Sequence, residues 1–190
     1  MSRVPRGRPR DVAGRRAALE AARDLVVAEG YDRLSMAEIA QRAGVGRQTL
    51  YRWWPSKQAI VADCVLDEAL PLQLDLATAS GDLAADLGAW MSRSADALAA
   101  DAPAELYRAL LAAAASDPAA AARMEERFDR PLRRAILDAF AAAGRAEESA
   151  ELAADLLMGA LLNVIVTRDP AARSRLVRVA ELALRTDAGA

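Results

Sequence analysis

Histidine is absent from the 190 residues, cysteine and lysine occur once each, as Cys64 and Lys57, and aromatic side chains make up only 4% of the chain. Without histidine there is no imidazole for acid–base chemistry near neutral pH, and no His-containing metal motif. A single cysteine cannot close a disulfide within the chain. Cys64 reads as a small buried hydrophobe on a helix, with a redox role left open. No apolar run approaches the roughly 18–20 residues of a membrane span and the N-terminus has no signal-peptide core, so a soluble, cytoplasmic protein is expected. Glycine-rich phosphate loops and metal-ligand clusters are also missing. Carboxylates such as Glu125, Glu126, Glu147 and Glu148 come in runs typical of solvated helix faces, so no enzyme, catalytic residue, cofactor or metal is expected.

What is present is alanine in quantity. With 54% hydrophobic residues and few strand-formers, the composition predicts an all-α protein with an adequate core for one or two small domains. The net charge of −2 and pI near 5.3 argue at first against a nucleic-acid partner. The charge is unevenly placed, however. Residues 1–60 hold 12 basic and 6 acidic side chains, a net of +6, and residues 61–190 hold 13 and 21, a net of −8. Basic charge is concentrated in the first third, and an acidic remainder would be kept away from phosphates.

That basic third contains the stretch Ser35 to Lys57, SMAEIAQRAGVGRQTLYRWWPSK. Ser35 and Glu38 have the spacing of a capping box, and Met36, Ile39, Ala40 and Ala43 recur as one apolar helical face. Gly44 falls where a helix ends in a left-handed residue, Val45 can plug the angle that follows, and Pro55 stops a second short helix, Arg47 to Trp54. At 100° per residue, Arg47, Gln48, Tyr51 and Arg52 share one face, opposite Leu50, Trp53 and Trp54. Arginine can pair bidentately with guanine and glutamine with adenine, while tyrosine and threonine hydroxyls reach phosphates. These features alone leave two readings open: a DNA-reading helix-turn-helix, or an exposed helical hairpin on an ordinary bundle.

The string IAQRAGVGRQTLYRWWPSKQAI resembles the DNA-binding signature of TetR-type (tetracycline-repressor-like) regulators, in its Ile-Ala pair, Ala-Gly-Val turn, Thr-Leu-Tyr run and following Ser-Lys. It departs from the commonest form at Trp53 and Trp54, where His or Tyr followed by Phe is usual. The resemblance implies a homodimeric, ligand-responsive regulator, most often a repressor, on a palindromic operator, with recognition helices spaced about 34–36 Å apart. It also implies DNA contacts from Arg47, Gln48, Thr49, Tyr51, Arg52 and Trp53, with Ser35 and Lys57 at phosphates. A bound effector would change the distance or angle between the two reading heads.

Residues 1–10 read as a flexible basic arm. Its Pro5-Arg6-Gly7-Arg8-Pro9 resembles the core of an AT-hook, in which Arg6 and Arg8 would enter a narrow minor groove. A non-specific architectural DNA binder using this arm is the alternative function. Residues 11–55 are expected to form a three-helix helix-turn-helix domain, its first helix running from Asp11 to Glu29 with Ala18, Ala21, Ala22, Leu25 and Val26 inward. Residues 56–190 would form a ligand-binding and dimerisation domain, bringing the total to about nine helices. Punctuation there predicts helices near 57–70, 82–100, 103–116, 118–143, 147–168 and 171–186, with a kink or break at Pro131.

The run from Leu156 to Val166 is apolar all round except for Asn163, so it must be covered from two directions. A two-fold bundle of the last two helices is expected to dimerise through Leu156, Gly159, Ala160, Leu162, Val166, Leu176, Val179, Ala180, Ala183 and Leu184. A monomer is the competing arrangement. Candidate lining for an effector pocket is the set of rarer large residues Trp90, Met91, Leu106, Tyr107, Leu110, Met124, Phe128, Leu132, Ile136 and Met158, with Tyr107 and Asn163 as polar groups. The same residues could instead be plain core.

Overall fold

The computed structural model describes residues 8–68, 76, 80–99, 101–167 and 172–185. All elements among them are helical: α1 (Arg8–Glu29), α2 (Met36–Ala43), α3 (Arg47–Trp53), α4 (Lys57–Glu68), α5 (Leu83–Ala99), α6 (Asp101–Ser116), α7 (Pro118–Met124), a π-helical turn (Glu125–Asp129), α8 (Arg130–Ala142), α9 (Glu147–Thr167) and α10 (Ala172–Ala183). Because α7, the π turn and α8 run on without interruption, the described residues form nine helical bodies.

The chain divides into two compact units. The first comprises Met1–Ala69 with Glu105–Met124, and the second Leu70–Ala104 with Glu125–Ala190. The first unit thus takes in α4 and most of α6–α7, which a linear cut at residue 55 assigns elsewhere. In it, α1 packs on α2, α3 and α4, and α7 packs on α4. The apolar stripe of α1 is turned inward as its spacing dictates, with Ala18, Ala21, Ala22, Leu25 and Val26 all buried. Ile39, Leu50, Ile60, Val61, Leu106 and Leu110 complete the same core. Cys64 is buried among them, its Sγ 3.4 Å from the carbonyl of Val61, in keeping with a small core hydrophobe. α1 begins at Arg8, three residues before the expected start, because Pro9 is tolerated in a first turn where its missing N–H has no intrahelical partner anyway.

In the second unit, α10 packs on α5 and α9, and α9 also packs on α5 and α8. The kink expected at Pro131 takes a specific form. Pro131 sits at the start of α8, and the π turn Glu125–Asp129 precedes it. A proline in continuous α-helix would clash with the carbonyl four residues earlier, and the wider π turn places that register change just ahead of the ring. α9 corrects the expectation that no segment suits a membrane span. By length and composition Glu147–Thr167 is apolar enough to cross one. It nonetheless carries Glu151 and Asp155, both paired with Arg133 of α8, and one side of it packs in the bundle.

Partial burial, and then Glu125, push the Asp129 carboxyl above its ordinary range, against an opposing pull from Arg133. A carboxyl with a raised folded pKa holds its proton more tightly in the native state, so stability declines as pH rises from the ordinary carboxylate range through the folded value. Asp129→Asn is therefore expected to melt higher than the parent at pH 7, the advantage fading as pH falls below about 4. Calorimetry across that range checks this, and an Asn variant no more stable at pH 7 contradicts it.

Candidate nucleic-acid interface

Local chemistry sets the angle between α2 and α3. Ser35 Oγ accepts from the Glu38 N–H at 3.3 Å and itself donates to Glu38 Oε2 at 2.6 Å, so the glutamate closes on the cap hydroxyl. Gly44 adopts φ +66°, ψ +26°, where a side chain would be strained. Its N–H reaches Gln41 O and the Val45 N–H reaches Ala40 O, the paired bonds of a Schellman end. The chain then turns directly into α3. Met36, Ile39 and Ala40 bury one face of α2, and Leu50 is fully enclosed on α3.

The opposite face of α3 is open. Arg47, Gln48, Tyr51 and Arg52 are exposed and Thr49 is half-buried at their edge. Tyr51 keeps 51% of its surface accessible, high for a large aromatic. Seven residues of helix thus carry two guanidiniums, an amide and a phenol outward over a rigid apolar base. This arrangement can place donors and acceptors against base edges from a packed helix.

Two of the expected DNA-contacting side chains also have partners within the chain. Trp53 is half-buried and turned into α1: a Cβ at Gly14 would lie 3.0 Å from Trp53 Cη2, and the ring stands edge-on to Trp54 at 5.8 Å. Its bulk is used in packing α3 against α1. Lys57 Nζ donates to Tyr31 O at 3.2 Å and lies 4.4 Å from the Tyr31 ring centroid, so its charge ties α4 to the α1–α2 link. Only its remaining hydrogens could serve a phosphate. Arg6 lies outside the described residues, and Arg8 opens a helix, which does not match an extended Arg-Gly-Arg segment.

Three residues around Trp54, namely Arg15, Asp63 and Arg123, carried no sequence signal. Trp54, 1% exposed, donates its indole Nε1–H to Asp63 Oδ2 at 2.7 Å, and Arg15 stacks over its ring at 4.8 Å. Arg123 of α7 donates to Asp63 Oδ1 at 2.7 Å. A pairing sixty residues apart has no periodicity to announce it.

The residues proposed from sequence for an effector pocket fall in different places. Trp90, Met91, Phe128, Leu132 and Ile136 are buried in the second unit. Leu106, Tyr107 and Leu110 are buried in the first, with Met124 packed partly against its core. Met158 is half-buried and Asn163 is exposed on α9, which removes Asn163 from the interior. Of the dimer candidates, Leu156, Gly159, Leu162 and Val166 are exposed and Ala160 is half-buried, while Val179 and Leu184 are half-buried on α10. Leu176, Ala180 and Ala183 are buried within the chain, where α10 packs on α5 and α9. Leu152 and Leu182, missed from sequence, are exposed at 49% and 56%.

A capped helix, a glycine turn and a short second helix with an open polar face define a helix-turn-helix DNA-binding protein. The match to known families makes this specific: residues 18–64 match the model for bacterial regulatory proteins of the tetR family, and residues 77–183 match the tetracyclin repressor-like C-terminal domain. The chain belongs to the TetR family of transcriptional regulators.

Over 64 residues, 34% of this chain, it is 44% identical to YdeS, an uncharacterised HTH-type transcriptional regulator of Bacillus subtilis (strain 168). It is 52% identical over 52 residues, 27% of the chain, to an uncharacterised HTH-type regulator of Mycobacterium tuberculosis. These matches span 32% and 26% of the relatives' own lengths. Among solved structures, a TetR transcriptional regulator from Rhodococcus sp. RHA1 aligns with TM-score 0.65 at 23% identity, covering 92% of this chain and 97% of that one. One from Agrobacterium tumefaciens aligns with TM-score 0.66 at 20% identity, covering 90% and 92%.

Proposed function

We propose that this regulator is a ligand-responsive repressor that binds a palindromic operator as a homodimer in the cytoplasm. The observation that carries the reading is the open face of α3, where Arg47, Gln48, Tyr51 and Arg52 stand over enclosed Leu50 and Trp54. Thr49 at the edge would reach a phosphate, and Ser35 at the α2 cap would do so by turning its hydroxyl hydrogen away from Glu38.

Pairing of heads is supported by α9. Leu152, Leu156, Gly159, Leu162 and Val166 recur at intervals of three and four along its exposed side, and Leu182 is an exposed leucine of α10. A stripe of this kind is rarely left to water and suits a self-complementary partner. Asn163 lies on the same side, where one polar group amid apolar contacts would fix register between the two copies. An effector site would draw on Trp90, Met91, Phe128, Leu132 and Ile136, a lining suited to a largely apolar molecule.

Arg47→Ala and Gln48→Ala are expected to weaken operator binding by about 1–3 kcal/mol each, with the loss confined to particular base pairs. Tyr51→Phe is expected to weaken all sequences alike. Anisotropy titrations at fixed salt against an operator selected from a randomised pool, with base substitutions, separate these patterns. A ratio of specific to non-specific affinity near one would favour the architectural alternative.

A further inference from the structure

We infer that Arg123 is a positioning residue for the recognition helix, acting through Asp63 and the indole of Trp54. The inference rests on reading α3 as that helix. α3 ends at Trp54, whose backbone N–H returns to Leu50 O at 2.9 Å and whose side chain is enclosed. The indole gives the helix end a directional polar bond to α4, Nε1–H to Asp63 Oδ2 at 2.7 Å. Asp63 is only 18% exposed at its side chain, so its rotamer matters to both partners.

Its other oxygen is held by the Arg123 guanidinium at 2.7 Å, and the same Nη1 reaches Ala59 O at 3.3 Å, one turn earlier on α4. A carboxylate bridged in this way has each oxygen committed, and releasing one frees the rotamer that orients the other.

α7 grips α4 at a second place. Asp117 caps α7 through the Ala119 N–H at 2.8 Å and accepts from Ser56 Oγ at 3.4 Å, while Ser56 Oγ caps α4 through the Ala59 N–H at 3.1 Å. Ser56 pairs with Asp117 and Asp63 with Arg123, so α7 runs alongside α4 in the same direction and holds it over about two turns. Arg123 is the last anchor before the chain leaves the first unit, since Met124 closes that unit and Glu125 opens the second. The bond from Arg123 to Asp63 therefore ties the end of the reading helix to a segment one residue from that crossing.

The test uses the full chain and two readouts. Arg123→Met keeps the aliphatic stem but removes the donor, and Arg123→Lys restores a charged donor. Trp54→Phe identifies the Trp54 indole among the three tryptophans in a proton–nitrogen spectrum. Deuterium exchange of that indole proton is expected to speed up about tenfold in Arg123→Met and to recover in part in Arg123→Lys, with shifts at the amides of Arg47–Trp53. Affinity for a duplex selected from a randomised pool by the parent protein should fall about tenfold, while affinity for a scrambled duplex, driven by phosphates, stays the same.

Indole exchange at the parental rate, or faster exchange with parental operator affinity, overturns the inference. If the parent selects no duplex, the repressor reading fails on its own. The inference is then decided by the spectrum: shifted α3 amides support it and unshifted ones overturn it.

Discussion

Aspartate in place of Leu156 or Leu162 is expected to convert the proposed dimer to monomers at micromolar concentration. A two-fold arrangement would put each substitution into the interface twice, and a desolvated carboxylate facing leucine costs several kcal/mol unless it is paired. At about 1.4 kcal/mol per decade, dissociation should strengthen by two or more orders of magnitude. Operator affinity should fall with it, because the second half-site is then no longer delivered by linkage. Both side chains stand outside the core, at 46% and 44% exposure, so the monomer itself should retain its melting behaviour. Sedimentation velocity over a concentration series gives the answer: a variant that remains dimeric at one micromolar places the interface elsewhere. Leu161→Asp, aimed into the chain's own core, is the contrast and should unfold the second unit.

Trp54→Ala is expected to destabilise the first unit by about 3–5 kcal/mol, the range for removing a buried large aromatic. The cavity would open under α3, and Asp63 would lose a partner on one oxygen. Trp54→Phe should cost less, since most of the apolar volume survives and only the indole donor goes. Urea unfolding followed by far-ultraviolet dichroism measures both. A loss below about 1 kcal/mol for the alanine variant would mean that the enclosure of Trp54 contributes little to holding the helices together.

Periodicity and punctuation were enough to place most helices, because each is short, amphipathic and bounded by glycine, proline or a capping side chain. The Ser35–Glu38 cap, the Gly44 turn and the outward set Arg47, Gln48, Tyr51 and Arg52 are all local, within four residues of their causes. The intramolecular partners of Trp53 and Lys57 were not legible for the opposite reason. Both face α1 or the link that follows it, and neither a ring wedged at Gly14 nor an ammonium on Tyr31 leaves a mark in linear spacing. The α10 stripe shows a related limit. Helical spacing identifies an apolar face, but it cannot say whether that face is spent within the chain, as Leu176, Ala180 and Ala183 are, or left for another copy.

Gly14 lies inside α1, where glycine is less favourable than alanine by about 0.5–1 kcal/mol, and the Trp53 ring occupies the space a methyl would need. Alanine at 14 would therefore make the Trp53 ring give by a few tenths of an ångström. A relative with a smaller ring at the site of Trp53 is free to carry alanine at the site of Gly14 and so gain a stiffer first helix. In this chain, tryptophan at 53 sets against that gain the cost of shifting its ring, and a smaller ring at 53 would lift it.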